Sequence, residues 1–162
     1  MALENSGEII VEVDCATAFE FARNPQQMAA CIPGCRDLLE LAPDRYSALL
    51  TSKVAYIALT FKVVVDVVKI DPLNLIEATV TGDAIKLAGR LVAKTRLTFA
   101  AAGQNRTVIC YSVDVSLTGK LGGLGQPVFK AKSVELAREF SANLKSAIEN
   151  AALPSSEVVA RA

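Results

Sequence analysis

The sequence predicts an α+β domain, a curved antiparallel sheet with one long helix at its C-terminal end. Three observations carry this. Between residues 57 and 118, apolar and polar side chains alternate with a period of two, as in strands with one wet face. Residues 126–152 change to a helical period with one apolar stripe. The 162 residues contain no repeat and no linker, so one domain spans 7–153, with 1–6 and 154–162 expected as tails, the second flexible.

Residues 7–13 (GEIIVEV) are rich in β-branched side chains and form a first strand. Asp14 stands where a helix N-cap belongs and opens a helix over 16–23 that contains Phe19 and Phe21. Asn24 and Pro25 start a second short helix, cap first and proline at the first helical position, and Pro33-Gly34 stops it after Cys31. Strands follow over 36–42 and 45–53, joined by a Pro43-Asp44 turn. Within 57–70 the odd positions Ile57, Leu59, Phe61, Val63, Val65 and Val67 are apolar, whereas Thr60, Lys62 and Asp66 face the other way.

Asp71-Pro72 turns the chain into a strand over 75–81, and Gly82-Asp83 marks the next turn. Residues 86–100 set Leu87, Gly89, Leu91, Ala93, Leu97 and Phe99 against Lys86, Arg90, Lys94, Arg96 and Thr98. After a turn at 103–106, residues 107–118 group Ile109, Tyr111, Val113, Val115 and Leu117 on one face. Strands this long exceed the usual five or six residues and must bend, with Gly89 as the bending point.

In the last helix Phe129, Leu136, Phe140, Leu144, Ala147, Ile148 and Ala151 fall within one arc of about 120°. A rod of roughly 40 Å results, enough to cross a small domain. A lone helix laid across a curved sheet tends to enclose a cavity. A container for an apolar molecule is therefore expected ahead of a catalyst.

Composition narrows the function further. There is no histidine, the usual proton carrier near neutral pH. Lysine plus arginine equals aspartate plus glutamate at 17 each, which gives nucleic-acid binding little electrostatic drive. No stretch reaches the roughly 20 apolar residues of a membrane span, and the polar N-terminus (MALENSG) does not read as a secretory signal, so a cytoplasmic location is expected. Cys31 and Cys35 resemble half a zinc knuckle, but no second pair completes four ligands, and no metal or other cofactor is expected. Nothing local activates these thiols, so small buried hydrophobes are the reading for the cysteines.

The order of elements, together with Asn24-Pro25, Met28-Ala-Ala-Cys-Ile-Pro-Gly34, Tyr46, Phe61, Gly119-Lys-Leu121, Gly125, Phe140 and Asn143-Leu144, resembles the carbon monoxide dehydrogenase CoxG family. That family lies within the START-like, polyketide-cyclase-like superfamily. The resemblance spans about residues 7–150 and implies the helix-grip fold. It also implies a non-enzymatic role beside a carbon monoxide dehydrogenase-type molybdenum hydroxylase, in membrane tethering or in handling a quinone or isoprenoid-like molecule. Many relatives end in a hydrophobic extension; this sequence ends at Ala162 without one, so contact with the inner membrane face is expected to be peripheral and transient. A homodimer is left open.

The expected ligand-binding residues are Tyr46, Phe61, Val63, Leu91, Tyr111 and Val113 on the sheet, with Phe129, Leu136, Phe140 and Leu144 on the helix. The two tyrosines serve as polar handles. The competing reading is that these side chains fill an ordinary core. The glycine-rich segment 119–127 is read as a lip, with Pro33, Gly34, Lys120, Leu121, Leu124, Gly125 and Val128 at an entrance or membrane contact, or else as a plain connection. An adaptor with a filled core and a small cyclase or hydratase are the alternative functions. Against catalysis, Asp66, Glu77 and Asp114 fall on the outer face, and no base stands beside a serine or threonine.

Overall fold

The computed structural model describes residues 2–54, 56–121 and 125–151. The chain runs β1 (Ala2–Val11), α1 (Cys15–Arg23), α2 (Pro25–Cys31), β2 (Cys35–Ala42), β3 (Arg45–Val54), β4 (Ile57–Asp71), β5 (Leu75–Ala84), β6 (Gly89–Gly103), β7 (Arg106–Gly119) and α3 (Gln126–Ala151). The strands form one antiparallel sheet in the order β1-β7-β6-β5-β4-β3-β2. It does not close, so β1 and β2 are its edges, and α3 lies over the concave face.

Local chemistry sets the helix starts. The Asp14 side chain accepts from Thr17 N at 3.0 Å and caps α1. The Asn24 side chain accepts from Gln26 N and Gln27 N, while Pro25 fills the first position of α2, where no N–H is missed.

Three sequence expectations need correction. Residues 2–6 are not a tail: β1 begins at Ala2 and pairs with β7 from Ala2↔Ser116 onward. Its outer positions Glu4, Ser6 and Glu8 are wet, and inward Asn5 donates to Ser133 O of α3 at 3.2 Å, so no apolar alternation advertises the strand. Gly82-Asp83 is not a turn but continues β5, opposite Val63 and Lys62 on one side and Leu91 and Arg90 on the other. The chain turns at 85–88 instead. Gly89 serves less as a bend than as a seat, since a Cβ there would strike the Leu121 side chain.

A register shift between Val67 and Lys69 interrupts the alternation of β4. It turns Val67 and Ile70 both toward the core and leaves Val68 outside, 62% exposed.

The core consists of two apolar clusters. One gathers Ile9, Val11, Phe19, Phe99, Ile109, Leu144 and Ile148, with the Phe19 and Phe99 rings edge to face at 5.4 Å. The other gathers Leu3, Leu59, Phe61, Val63, Leu117, Leu121 and Phe129. Helix α3 therefore has its N-terminal end in one cluster and its C-terminal half in the other. Polar ties reinforce the second footing. Asn143 Nδ2 donates to Cys31 O at 3.0 Å and Lys145 Nζ to Ile10 O at 2.6 Å. Glu149, held below its ordinary value by Lys145 and by the Glu12 N–H, links α3 to the end of β1.

Leu144 has no exposure, and Leu144→Ala is expected to cost about 2–5 kcal/mol in chemical denaturation, the range for emptying a filled core site. Hydrogen bonds from Thr17, the side chain ahead of the amide, lower the Asp14 pKa from 3.8. A lowered folded-state pKa means that the cap's full contribution is present above pH 3.8 and fades as pH falls through the depressed value. Asp14→Asn, which keeps an acceptor, should show a shallower loss of melting temperature over that acid range.

Candidate ligand-binding site

Between the two clusters lie the middle of α3 and the middle of the concave face. By strand register the floor there is built from Gly7 of β1, Tyr111 and Val113 of β7, Ala93 and Thr95 of β6, Ala78 and Val80 of β5, and Val65 of β4. Glycines and alanines hold a large share of these positions. A helix standing about 10 Å above a sheet leaves space where the floor side chains are this small.

Burial follows the same pattern. Val63 is 4% exposed and Ile109 0%, yet Val65 and Val113, which lie between them on the same face, are only half-buried. Leu136, at the centre of α3, is half-buried too, and none of these three belongs to either cluster. A centre less buried than its flanks marks a trough beneath the helix.

Polar groups in and beside the trough are few. The Tyr111 ring lies over Gly7, where a Cβ would come within 2.5 Å of its hydroxyl oxygen, so the glycine is what lets the ring lean across β1. That hydroxyl has no hydrogen-bond partner among the described residues. Ser52 Oγ, on the inward face of β3, is buried and also unpartnered. Thr95 is satisfied internally, donating to Ala78 O at 3.1 Å.

The sequence-predicted ligand residues divide among these surroundings. Phe61, Val63, Leu91 and Phe129 pack in or on one cluster. Leu144 is inside the other cluster, and Tyr111 and Phe140 are packed against it. Val113 and Leu136 stand in the seam. Leu144 and Phe129 are thus core anchors more than lining. Tyr46 departs from expectation. It lines a separate open cleft of about 490 Å³ between the α1–α2 corner and β2–β3, with Glu20, Arg23, Asn24 and Glu40. Burial first, then Glu40 and Asp44, push its phenol up, and Arg23 opposes them. Those walls are polar and do not suit an apolar ligand.

The expected lip is also revised. Leu121 has no exposure and sits against Gly89, and Val128 packs on the same cluster, so both turn inward where the sequence suggests a membrane-facing side. Apolar side chains in a glycine-rich connection read as exposed because no periodicity shows which way they point. Lys120 is exposed, and its N–H binds Ala88 O at 2.7 Å. Gly125, at φ +96, offers its carbonyl to Phe129 N and starts α3. Leu124 lies outside the described residues. Pro33-Gly34 forms a corner: Gly34 has φ +80, presses on the Thr51 carbonyl and accepts from Thr51 N at 3.0 Å. Burial pushes the Cys31 and Cys35 thiols up, away from the reactive thiolate. Sequence reading missed Gly7, Ala78 and Ala93; the available signal was their small size at inward positions.

The family model for CoxG of carbon monoxide dehydrogenase matches residues 7–149. Comparison with curated proteins gives no match. Among solved structures, the chain is similar to a conserved protein from Geobacillus kaustophilus, at TM-score 0.82 and 20% identity, covering 91% of this chain and 96% of that one. It is similar to a START superfamily protein from Mycobacterium smegmatis, at TM-score 0.70 and 14% identity, covering 91% and 97%. It is also similar to the Zhui aromatase/cyclase from Streptomyces sp. R1128, at TM-score 0.61 and 16% identity, covering 93% of each chain. At these identities the likeness shows the fold, which is START-like.

A trough and a filled core respond oppositely to added volume. Ala78→Leu should change stability by less than about 1 kcal/mol if it grows into the trough, against about 1–3 kcal/mol of destabilisation in a packed interior. Thermal and urea melts distinguish these.

Proposed function

The chain belongs to the carbon monoxide dehydrogenase CoxG family, and from that membership and the trough beneath α3 we propose that it is a non-enzymatic carrier of a lipophilic small molecule. The molecule is quinone- or isoprenoid-like, and the carrier serves a carbon monoxide dehydrogenase-type molybdenum hydroxylase from the cytoplasmic side of the membrane. One observation carries the reading: Val65, Val113 and Leu136 are less buried than the residues on either side of them. An elongated apolar molecule lying along α3 would cover them and join the two clusters. The unpartnered Tyr111 hydroxyl supplies the placed polar group that such sites use for orientation, here a donor for a carbonyl oxygen. The hydroxylase is the electron donor that such a carried quinone would accept from.

Likeness to an aromatase/cyclase favours one second reading, chemistry on a polyketide-like substrate in the same trough. Tyr111 would then be the acid. The outward direction of Asp66 and Asp114 leaves it no carboxylate partner on those strands and speaks for the carrier instead.

Native mass spectrometry of the purified protein should find a retained lipophilic mass. A short-chain quinone added at about a hundred times its dissociation constant should raise the melting temperature by roughly 5–10 °C. Phe140→Asp should remove both effects. Absence of mass and shift in the unmodified protein would falsify the carrier reading. Turnover of a polyketide-like substrate that disappears in Tyr111→Phe would replace it with the second.

A further inference from the structure

All four connections at one end of the sheet carry exposed apolar or basic side chains. They are residues 32–34 before β2, 53–58 between β3 and β4, 84–89 between β5 and β6, and 118–126 leading into α3. Backbone hydrogen bonds set them side by side: Thr51 N to Gly34 O, Ile85 N to Thr60 O and Lys120 N to Ala88 O. At this tip Tyr56 is 97% exposed, Ile85 56% and Ile57 42%.

Charge marks the same end. These four segments hold Lys53, Lys86 and Lys120 and no aspartate or glutamate, in a chain whose charges balance overall. All three lysines are exposed and without a carboxylate partner among the described residues. The loops at the opposite end, 12–14, 42–45, 71–74 and 102–106, hold Glu12, Asp14, Asp44 and Asp71 against Arg45 and Arg106. The molecule is therefore polarised along its strands, with a basic, apolar-tipped end and an acidic one.

We propose that this tip is a docking surface for an anionic lipid bilayer. Tyr56, Ile57 and Ile85 enter the headgroup layer, and Lys53, Lys86 and Lys120 meet lipid phosphates. An apolar crest ringed by lysines fits a planar anionic interface, where aliphatic side chains sink in and lysines stay at headgroup level. The α3 N-terminus stands at this end, so one mouth of the trough would face the lipid. The inference deepens the carrier reading, which supplies its purpose, but its own test measures lipid contact alone.

The chain has no tryptophan, so Tyr56→Trp places one reporter at the tip and Leu73→Trp one at the opposite end. Vesicles of phosphatidylglycerol and phosphatidylcholine should shift Tyr56→Trp emission to the blue and leave Leu73→Trp unchanged. Replacing all three lysines (Lys53→Gln, Lys86→Gln, Lys120→Gln) should weaken vesicle binding about a hundredfold, near fivefold for each, with the melting curve unaltered. The proposal is overturned by no shift, by equal shifts at both ends, or by a triple variant that binds as the parent does. A Tyr56→Trp shift that tracks protein concentration without vesicles would assign the tip to a second copy instead. Vesicle binding without quinone retention would sink only the carrier reading, and the reverse only the docking surface.

Discussion

Helix α3 is held at its ends and not at its middle, and most of what the domain can do depends on that. Phe129 is clamped by Phe61 and Leu121 in one cluster, Leu144 and Ile148 by Ile9 and Phe99 in the other. Dispersion and hydrophobic burial act over a few ångströms, so each clamp stabilises only its own end. What sits below the centre can then be small without unseating the helix. Gly7, Ala78 and Ala93 occupy the floor at little cost in stability, because none of them is asked to hold anything up.

Much of the fold was legible in the sequence. Periodicity located all seven strands and the long helix, and Asp14, Asn24 and Pro25 marked the helix starts through capping chemistry that acts within three residues. Where reading failed, a longer-range contact had decided. Residues 2–6 look polar because their inward side chain, Asn5, hydrogen-bonds to α3 and makes no apolar contact. Gly82-Asp83 carries turn residues, but Val63 and Leu91 fill the space above the glycine and keep β5 extended.

The site was less legible. Periodicity gives the face of a side chain and not what stands opposite it, so Leu144 and Leu136 look alike in sequence although one is sealed and the other half-open. Tyr46 lies on an inward register position opposite Val65, yet near the sheet edge its ring meets Glu40 and Arg23 instead of the helix. Leu121 needed Gly89, 32 positions away by numbering, to explain its burial. Small residues were the most informative and the easiest to overlook, since their contribution is the space they do not fill.

The unequal footings of α3 also make it a lever. Its C-terminal half is bolted by Leu144 and Ile148 and by the ties of Asn143, Lys145 and Glu149 to the rest of the chain. Its N-terminal end rests on packing alone, reached through the glycine-rich segment. Phe129 lies 15 residues from Leu144, so the arm is about 22 Å long. A tilt of about ten degrees about the bolted end raises the free one by about 4 Å, roughly the thickness of an aromatic ring. Loading the trough therefore requires neither a broken strand nor an unwound helix, only release of one hydrophobic latch.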